Sequence, residues 1–398
     1  MNESALIRDI ESRAAACSCG RHHPVAIDEI VVERGALDKL APYAAARGAR
    51  QVLLVADGTT YQAAGERAER LLAAAGCSVS VCLVSPNAQG DVVADEATIV
   101  QVMMGVSQEA TDLLVAVGAG TIHDVVRFVA FKMNKPFVSV PTAPSVDGFT
   151  SAGAPILIRG DKITVQAISP AAIFADLDVL TAAPPAMVAA GFADMLGKYT
   201  SLFDWRFSHE VGGEPYCAAT EQATRHALEA CVANAAAIAR RDVAGIAILM
   251  NALIESGLAM LLFGASHPAS AAEHHLSHYW EMAYLRLGRR QLLHGAKVGV
   301  ACAIVSGLYH ELAAEGEIAA LCERPGGGAA DIAGLREALR GVPQPARIRE
   351  LLREVGGPDT PESIGLDAEL LQRSLREAHR VRARYTLLRA RNEREAGN

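Results

Sequence analysis

The sequence predicts an α/β chain: a Rossmann-like parallel-sheet domain over residues 1–180, then an all-helical domain over residues 181–398. Three observations carry this. From Val25 to about Asp178, short apolar runs alternate with helical patterns of roughly 10–15 residues, the signature of a parallel sheet with covering helices. Beyond about Ala186 strand signals vanish and Ala-rich helical segments punctuated by Gly and Pro take over. Between the two, TAAPPAM sets Pro184 and Pro185 side by side, stopping one unit and starting the next.

In order, VAIDEIVVE reads as a strand, GALDKLAPYAAARG as a helix ending on Gly48, and QVLLVADG as a buried strand. AAGERAERLLAAAG is a helix, SVSVCLVSP a strand, ADEATIVQVMMGVSQEA a helix and TDLLVAVGAG a strand. KPFVSV follows as a strand, ILIRGDKITVQ as a hairpin turning at Gly160, and AIFADLDVL as the last strand. VAGIAILMNALIESGLAMLLFGA is the most apolar segment, but Asn251, Glu255 and Ser256 interrupt it, which suits a buried helix better than a membrane span. CERPGGGAAD reads as a flexible surface loop. From Asp367 on, the pattern is one Arg-rich amphipathic helix facing solvent or a partner subunit.

Composition narrows the function. The net charge is −8 and the pI about 5.9, so no basic face is on offer for nucleic acid, and small metabolites are the expected partners. MNESALIRDIESR has no continuous apolar core and is expected to be neither a signal nor a transit peptide, so the expected location is the cytoplasm, off the membrane. The eight cysteines are scattered, several in apolar runs, which suits a reducing compartment. CSCGRHH packs Cys17, Cys19, His22 and His23 together; surface thiols near the chain start are the plainer reading and a metal site the alternative.

Ligands of parallel sheets sit beyond the carboxyl ends of strands. After QVLLVA comes Asp57, placed to accept bonds from an adenosine ribose and to disfavour a 2′-phosphate, which leans toward NAD. After TDLLVAV, Gly118, Ala119 and Gly120 allow backbone N–H groups to approach a pyrophosphate, with Thr121 offering a hydroxyl. A short G-A-G is also what a tight strand-to-helix turn needs. After KPFVSV, Thr142, Ser145, Asp147 and Ser151 crowd one loop with hydrogen-bonding side chains, which either cap and turn it or line a site.

The most concentrated chemistry lies in Ser266 to Gly295, which holds His267, His274, His275, His278 and His294. A lone histidine is more often a core or surface residue than a ligand; five together are not easily dismissed. Ser270 and Glu273 stand at capping-box spacing, so a helix is expected to start there with His274 in its first turn and His278 on the same face. The positive helix end is expected to keep His274 unprotonated, its lone pair free for a metal. His275 points elsewhere, toward packing. Asp194, embedded in AAGFADMLGKYTSLFDW, is the expected carboxylate ligand, with an ion pair to Lys198 as the plainer alternative. One Asp and two His leave positions open for substrate.

GAGTIHD, PTAPSVDGFTS, GFADMLGKYTSLFDW, SHPASAAEHHLSHYWEM and HGAKVG resemble the bacterial branch of the glycerol-1-phosphate dehydrogenases. That branch is related to glycerol dehydrogenase, iron-type alcohol dehydrogenases and 3-dehydroquinate synthase. The resemblance implies a metal in the cleft between the two domains, held by Asp194, His274 and His294, with His278 near metal and substrate. It assigns cofactor contacts to Gly118 through Asp124 and to Thr142, Ser145 and Ser151, with Asp147 in the loop touching cofactor and substrate. Implied too are a homodimer, NADH or NADPH, and zinc or nickel. The implied reaction is reduction of dihydroxyacetone phosphate to sn-glycerol 1-phosphate, with His278 or Asp147 in the proton relay and Lys198 as a substrate contact. Ala271 departs from the Gly expected there. Two alternatives share the fold: a glycerol dehydrogenase acting on the free polyol, and a sugar-phosphate cyclase, whose relatives favour Glu where this chain has Asp194.

Overall fold

The computed structural model describes residues 5–15, 17, 19, 25–323 and 330–397. His22, His23 and most of the CERPGGGAAD loop therefore lie outside the described residues. Among the described residues the eight strands are β1 (Glu29–Glu33), β2 (Gln51–Asp57), β3 (Ser78–Val84), β4 (Leu113–Gly118), β5 (Phe137–Pro141), β6 (Gly153–Ile158), β7 (Asp161–Gln166) and β8 (Ala172–Asp176). Six of them form one wholly parallel sheet in the order β1-β8-β5-β4-β2-β3. Residues Leu113–Gly118 and Phe137–Pro141 are buried throughout, because helices cover both sheet faces and leave no polar side for alternation. One face packs on Leu37, Leu40, Ala68 and Leu72, the other on Ile99, Val102, Val125 and Val129.

The strand order fixes where a ligand can sit. The connection after β2 runs outward to β3 and that after β4 runs the other way to β5, so neighbouring β2 and β4 flank a switch point. Asp57, Gly118–Gly120 and the loop from Thr142 thus come out on three adjacent strands, side by side. β6 and β7 form the expected hairpin, turning through Arg159 and Gly160 at φ 53° and 81°, as a two-residue turn of that hand requires. It leaves the sheet and docks on the helix Ala272–Arg286, where Lys162 pairs with Glu281 at 2.8 Å and Arg286 with Asp161 at 2.9 Å.

No strand follows Asp176 among the described residues. The helix Val243–Phe263 starts where Asp242 accepts the Gly245 N–H and ends at Gly264 with φ 75°; it is long and apolar enough to span a membrane, and it is mostly buried in the fold. Two glycines let backbones approach closely. A Cβ on Gly191, in the helix Pro185–Leu196, would lie 1.9 Å from the Pro144 carbonyl oxygen. One on Gly295, in the helix His294–Ala314, would lie 1.8 Å from that of Ala190. These two contacts hold Asp194 against the 142–151 loop on one side and against His294 on the other.

The tail differs from the expected single helix. It forms a helix Ala368–Glu377, a short turn Ala378–Arg380, an irregular stretch over 381–386 and a helix Leu387–Gly397. The reason is interior hydrogen bonding: Asn392 bonds the His379 ring at 3.0 Å and the Leu375 carbonyl at 2.9 Å, while Glu214 accepts from the Tyr385 N–H at 2.6 Å and from Arg384 at 2.7 Å. Arg382 and Arg384 consequently turn inward rather than to solvent.

Candidate metal and nucleotide site

Asp194 is fully buried in its helix, and His274 and His294 start or nearly start two others that converge on it. The carboxylate Oδ1 lies 3.5 Å from His274 Nε2 and 4.0 Å from His294 Nε2, and one donor atom from each of the three residues lies within 4.8 Å of the others. Donors bound to one divalent ion at about 2.1 Å stand roughly 3.4 Å apart, so the trio is spaced for an ion between them rather than for mutual hydrogen bonds. Burial alone would raise the Asp194 carboxyl, but Lys198, His274 and His294 outweigh it and hold Asp194 ionised, well below the usual carboxylate range. The residues present fit a divalent metal.

His274 is aimed by Glu273, not by a helix end. The expected capping box does not form: the helix starts at Ala272 with Ala271 before it, and the Ser270 hydroxyl donates to the Ser266 carbonyl instead. Glu273 turns back, accepting from Ala271 N–H and facing His274 Nδ1, both at 2.7 Å, while Thr200 donates to its other oxygen at 2.8 Å. With Nδ1 so engaged, Nε2 faces Asp194 and His294, the arrangement in which a carboxylate orients a ligating histidine. Burial lowers the His274 pKa, yet the nearby carboxylates of Asp194 and Glu273 prevail and raise it, opposite to the expectation from the helix end. His278, expected on the metal face by its spacing, lies one ring further out, with centroids 6.2 Å from His274 and 5.7 Å from His294. His275 is buried and makes no hydrogen bond among the described residues, a packing role.

Lys198 is fully buried and its ammonium is engaged by Asp147 at 2.8 Å, the Ala269 carbonyl at 3.1 Å and Asp194 at 3.5 Å. Asp147 also accepts from Ser256 at 2.8 Å, and its backbone N–H donates to Asp194 at 3.0 Å. The 142–151 loop is thereby tied to the trio. Thr142 N–H donates to the Gly118 carbonyl at 3.0 Å, joining this loop to the Gly118–Gly120 turn. Ser145 and Ser151 are buried in the same loop. Asp57 accepts from the N–H groups of Thr59 and Thr60 through one oxygen, leaving the other at the carboxyl end of β2. Ala119 precedes the helix Gly120–Lys132, Thr121 is half-buried in its first turn, and Asp124 pairs with the buried Arg127 at 2.9 Å. Cavities of about 410 Å³ and 1060 Å³ lie elsewhere, and neither is lined by the trio; donor geometry, not void size, marks the site.

Residues 31–184 match the family described as iron-containing alcohol dehydrogenase. The glycerol-1-phosphate dehydrogenase (NAD(P)+) of Geobacillus stearothermophilus is 47% identical over 405 residues, covering 99% of both chains. That of Bacillus subtilis is 42% identical, covering 93% of this chain and 92% of the other. The chain belongs to the glycerol-1-phosphate dehydrogenase family. Among solved structures, a 1,3-propanediol oxidoreductase superposes with TM-score 0.69 over 94% of this chain and 100% of its own at 16% identity. Maleylacetate reductase from Agrobacterium tumefaciens does so with TM-score 0.68 over 94% and 97% at 14% identity. These two share the fold.

In this family member, sequence reasoning missed the group that faces the trio from the far side. Arg382 donates to His278 Nε2 at 3.2 Å, to Thr164 at 3.0 Å and to Ser266 and Ser270 at 3.2 Å each. Among the described residues no carboxylate pairs with it, and burial lowers its pKa to about 10. Beside it, Lys162 and Lys297 share the single carboxylate Glu281, each at 2.8–2.9 Å. Helical periodicity assigns Arg382 to a solvated face; only the break after Arg380 brings it here.

Glu214 anchors that break. Burial opposes its ionisation, but His267, Arg384 and the Tyr385 N–H bring its pKa down to about 2 from 4.5. A depressed carboxyl adds stability above its unfolded pKa and loses it as pH falls toward the folded one. Glu214→Gln is therefore expected to lower stability by about 3 kcal/mol at pH 7. In urea denaturation the gap to wild type should narrow from pH 4.5 downward; a constant gap would mean that the charge is not the source.

Proposed function

We propose that this chain is a metal-dependent oxidoreductase that reduces dihydroxyacetone phosphate to sn-glycerol 1-phosphate with NAD(P)H, acting as a cytoplasmic homodimer of two-domain subunits. Full-length identity of 47% to a glycerol-1-phosphate dehydrogenase carries the reaction class, and Arg382 supports the phosphorylated substrate. A half-buried cation among hydroxyls, with no carboxylate paired to it among the described residues, suits an anionic group of the substrate. It stands one imidazole away from the trio, on the other side of His278.

Asp194, His274 and His294 would hold the metal, zinc or nickel, and the sheet edge at Asp57, Gly118–Gly120 and Thr142–Ser151 would hold the dinucleotide. When bound, the metal supplies Lewis-acid polarisation of the C2 carbonyl and the reduced nicotinamide supplies the hydride. The chain's own residues orient and protonate. Glu273 fixes the His274 ring, and Lys198 fixes Asp147 and Asp194 against the loop rather than reaching substrate. Asp147 and His278 flank the reacting carbonyl from two sides, and one of them delivers the proton to the C2 oxygen. Asp124, paired with Arg127, acts as a support for the helix under the pyrophosphate turn.

The test is NADH oxidation by zinc- or nickel-loaded protein with dihydroxyacetone phosphate beside dihydroxyacetone. The phosphate is expected to be preferred by roughly 100-fold in kcat/KM, with sn-glycerol 1-phosphate as the product in a chiral assay. Preference for the free ketone would move the reading to glycerol dehydrogenase. No NADH oxidation with either would reopen the cyclase.

A further inference from the structure

We propose a second metal site, formed by the thiolates of Cys17, Cys19 and Cys217 and selective for a soft divalent ion such as zinc, which staples the N-terminal segment to the helical half. The first two thiols come from CSCGRHH and the third from a residue 200 positions away from Cys17. Cys17 and Cys217 sulfurs are 3.2 Å apart, and a donor atom from each of the three residues lies within 4.8 Å of the others. Cys17 and Cys19 are half-buried, and Cys217, which the sequence reading did not join to them, is fully buried. Trp205, Phe263 and Leu202 form the apolar shell around Cys217, with Cys17, Cys19 and Tyr216 packed against it.

Chemistry selects a metal here over a plain thiol cluster. A disulfide uses two sulfurs, and a third brought to the same point has no part in it. Three sulfurs at this spacing match three corners of a tetrahedron around an ion with Zn–S bonds of about 2.3 Å, leaving one corner for a nitrogen donor or water. Burial raises the Cys217 thiol to about 11, so a thiolate there needs a cation, and two fixed groups lessen that cost. Cys217 stands at the N-cap of the helix Ala218–Ala233, whose positive end lowers the cost of a negative sulfur. The Cys19 N–H donates to Cys17 Sγ at 3.4 Å, a backbone bond to the sulfur within C-x-C. Like charges so close ionise together only around a cation, so binding would release protons and link metal to folding. The site also differs in kind from the Asp194, His274 and His294 trio: sulfur donors packed against an apolar shell suit a structural ion.

The experiment is metal content of full-length protein purified with zinc under reducing conditions, for wild type, Cys17→Ser, Cys19→Ser, Cys217→Ser and His274→Ala, with cobalt substitution alongside. Wild type should hold two equivalents per chain, and each variant one. The near-ultraviolet thiolate-to-cobalt band should persist in His274→Ala and vanish in the cysteine variants, which should also melt several degrees lower. Cys217→Ser removes a buried group, so the two half-buried cysteines decide the case if it fails to fold. Unchanged metal content in Cys17→Ser and Cys19→Ser, absence of the cobalt band from wild type, or a Cys17–Cys217 disulfide in the intact mass of reduced-purified protein would each overturn the proposal. None of these readouts depends on the reaction assigned to the other site.

Discussion

His274→Ala is expected to empty the Asp194 trio and lower kcat on dihydroxyacetone phosphate by on the order of 1000-fold, because polarisation of the carbonyl worth several kcal/mol is lost. NADH binding should stay within a few-fold of wild type. The groups proposed to face the dinucleotide lie at the ends of β2, β4 and β5, and His274 stands on a helix outside that sheet. Glu273→Gln is the graded comparison: it keeps the His274 ring but weakens its anchor, and a metal affinity lower by about 10- to 100-fold is expected. Metal analysis after dialysis, NADH fluorescence titration and steady-state rates separate the effects. Full turnover in His274→Ala would remove the metal from the mechanism. A parallel loss of NADH binding would show that the helical half shapes the nucleotide cleft.

Arg382→Ala should lower kcat/KM for dihydroxyacetone phosphate by roughly 10- to 100-fold, the worth of hydrogen bonds to a charged group, while leaving the slow reaction with dihydroxyacetone nearly unchanged. Arg382→Lys should recover part of the loss, since an ammonium supplies charge but not the planar fork that now reaches Thr164, Ser266, Ser270 and His278. The contrast between the substrates carries the meaning. An equal fall on both would make Arg382 a positioning residue for the His278 ring rather than the partner of the phosphate.

The sheet was legible because its signals are local. The central strands β2, β4, β5 and β8 are short apolar runs between turn residues, and a parallel sheet covered on both faces demands that pattern. The loops after β2, β4 and β5 could be named for the same reason, since the carboxyl end of a strand follows from chain direction alone. Asp194 stood out because a carboxylate in an apolar helix needs a reason. Where reasoning from spacing went astray, two local rules competed with a distant partner. The S-x-x-E pattern at Ser270 promised a cap, but Glu273 is drawn inward by Thr200 and His274. The Arg-rich tail promised a continuous helix, but Glu214 and Asn392 bond its backbone and side chains where the helix breaks.

By itself, then, the sequence determined the strands and their order, the three strand ends and the residue types able to bind a metal, all of which depend on neighbours a few positions apart. Tertiary structure decided which of them meet. Gly191 and Gly295 admit backbone contacts no spacing rule encodes; Cys217 reaches Cys17 across 200 positions; Arg382 turns in only because the chain breaks after Arg380. Such pairings depend on closing long loops, whose free energy is set by the packing of the whole chain and not by any window of it.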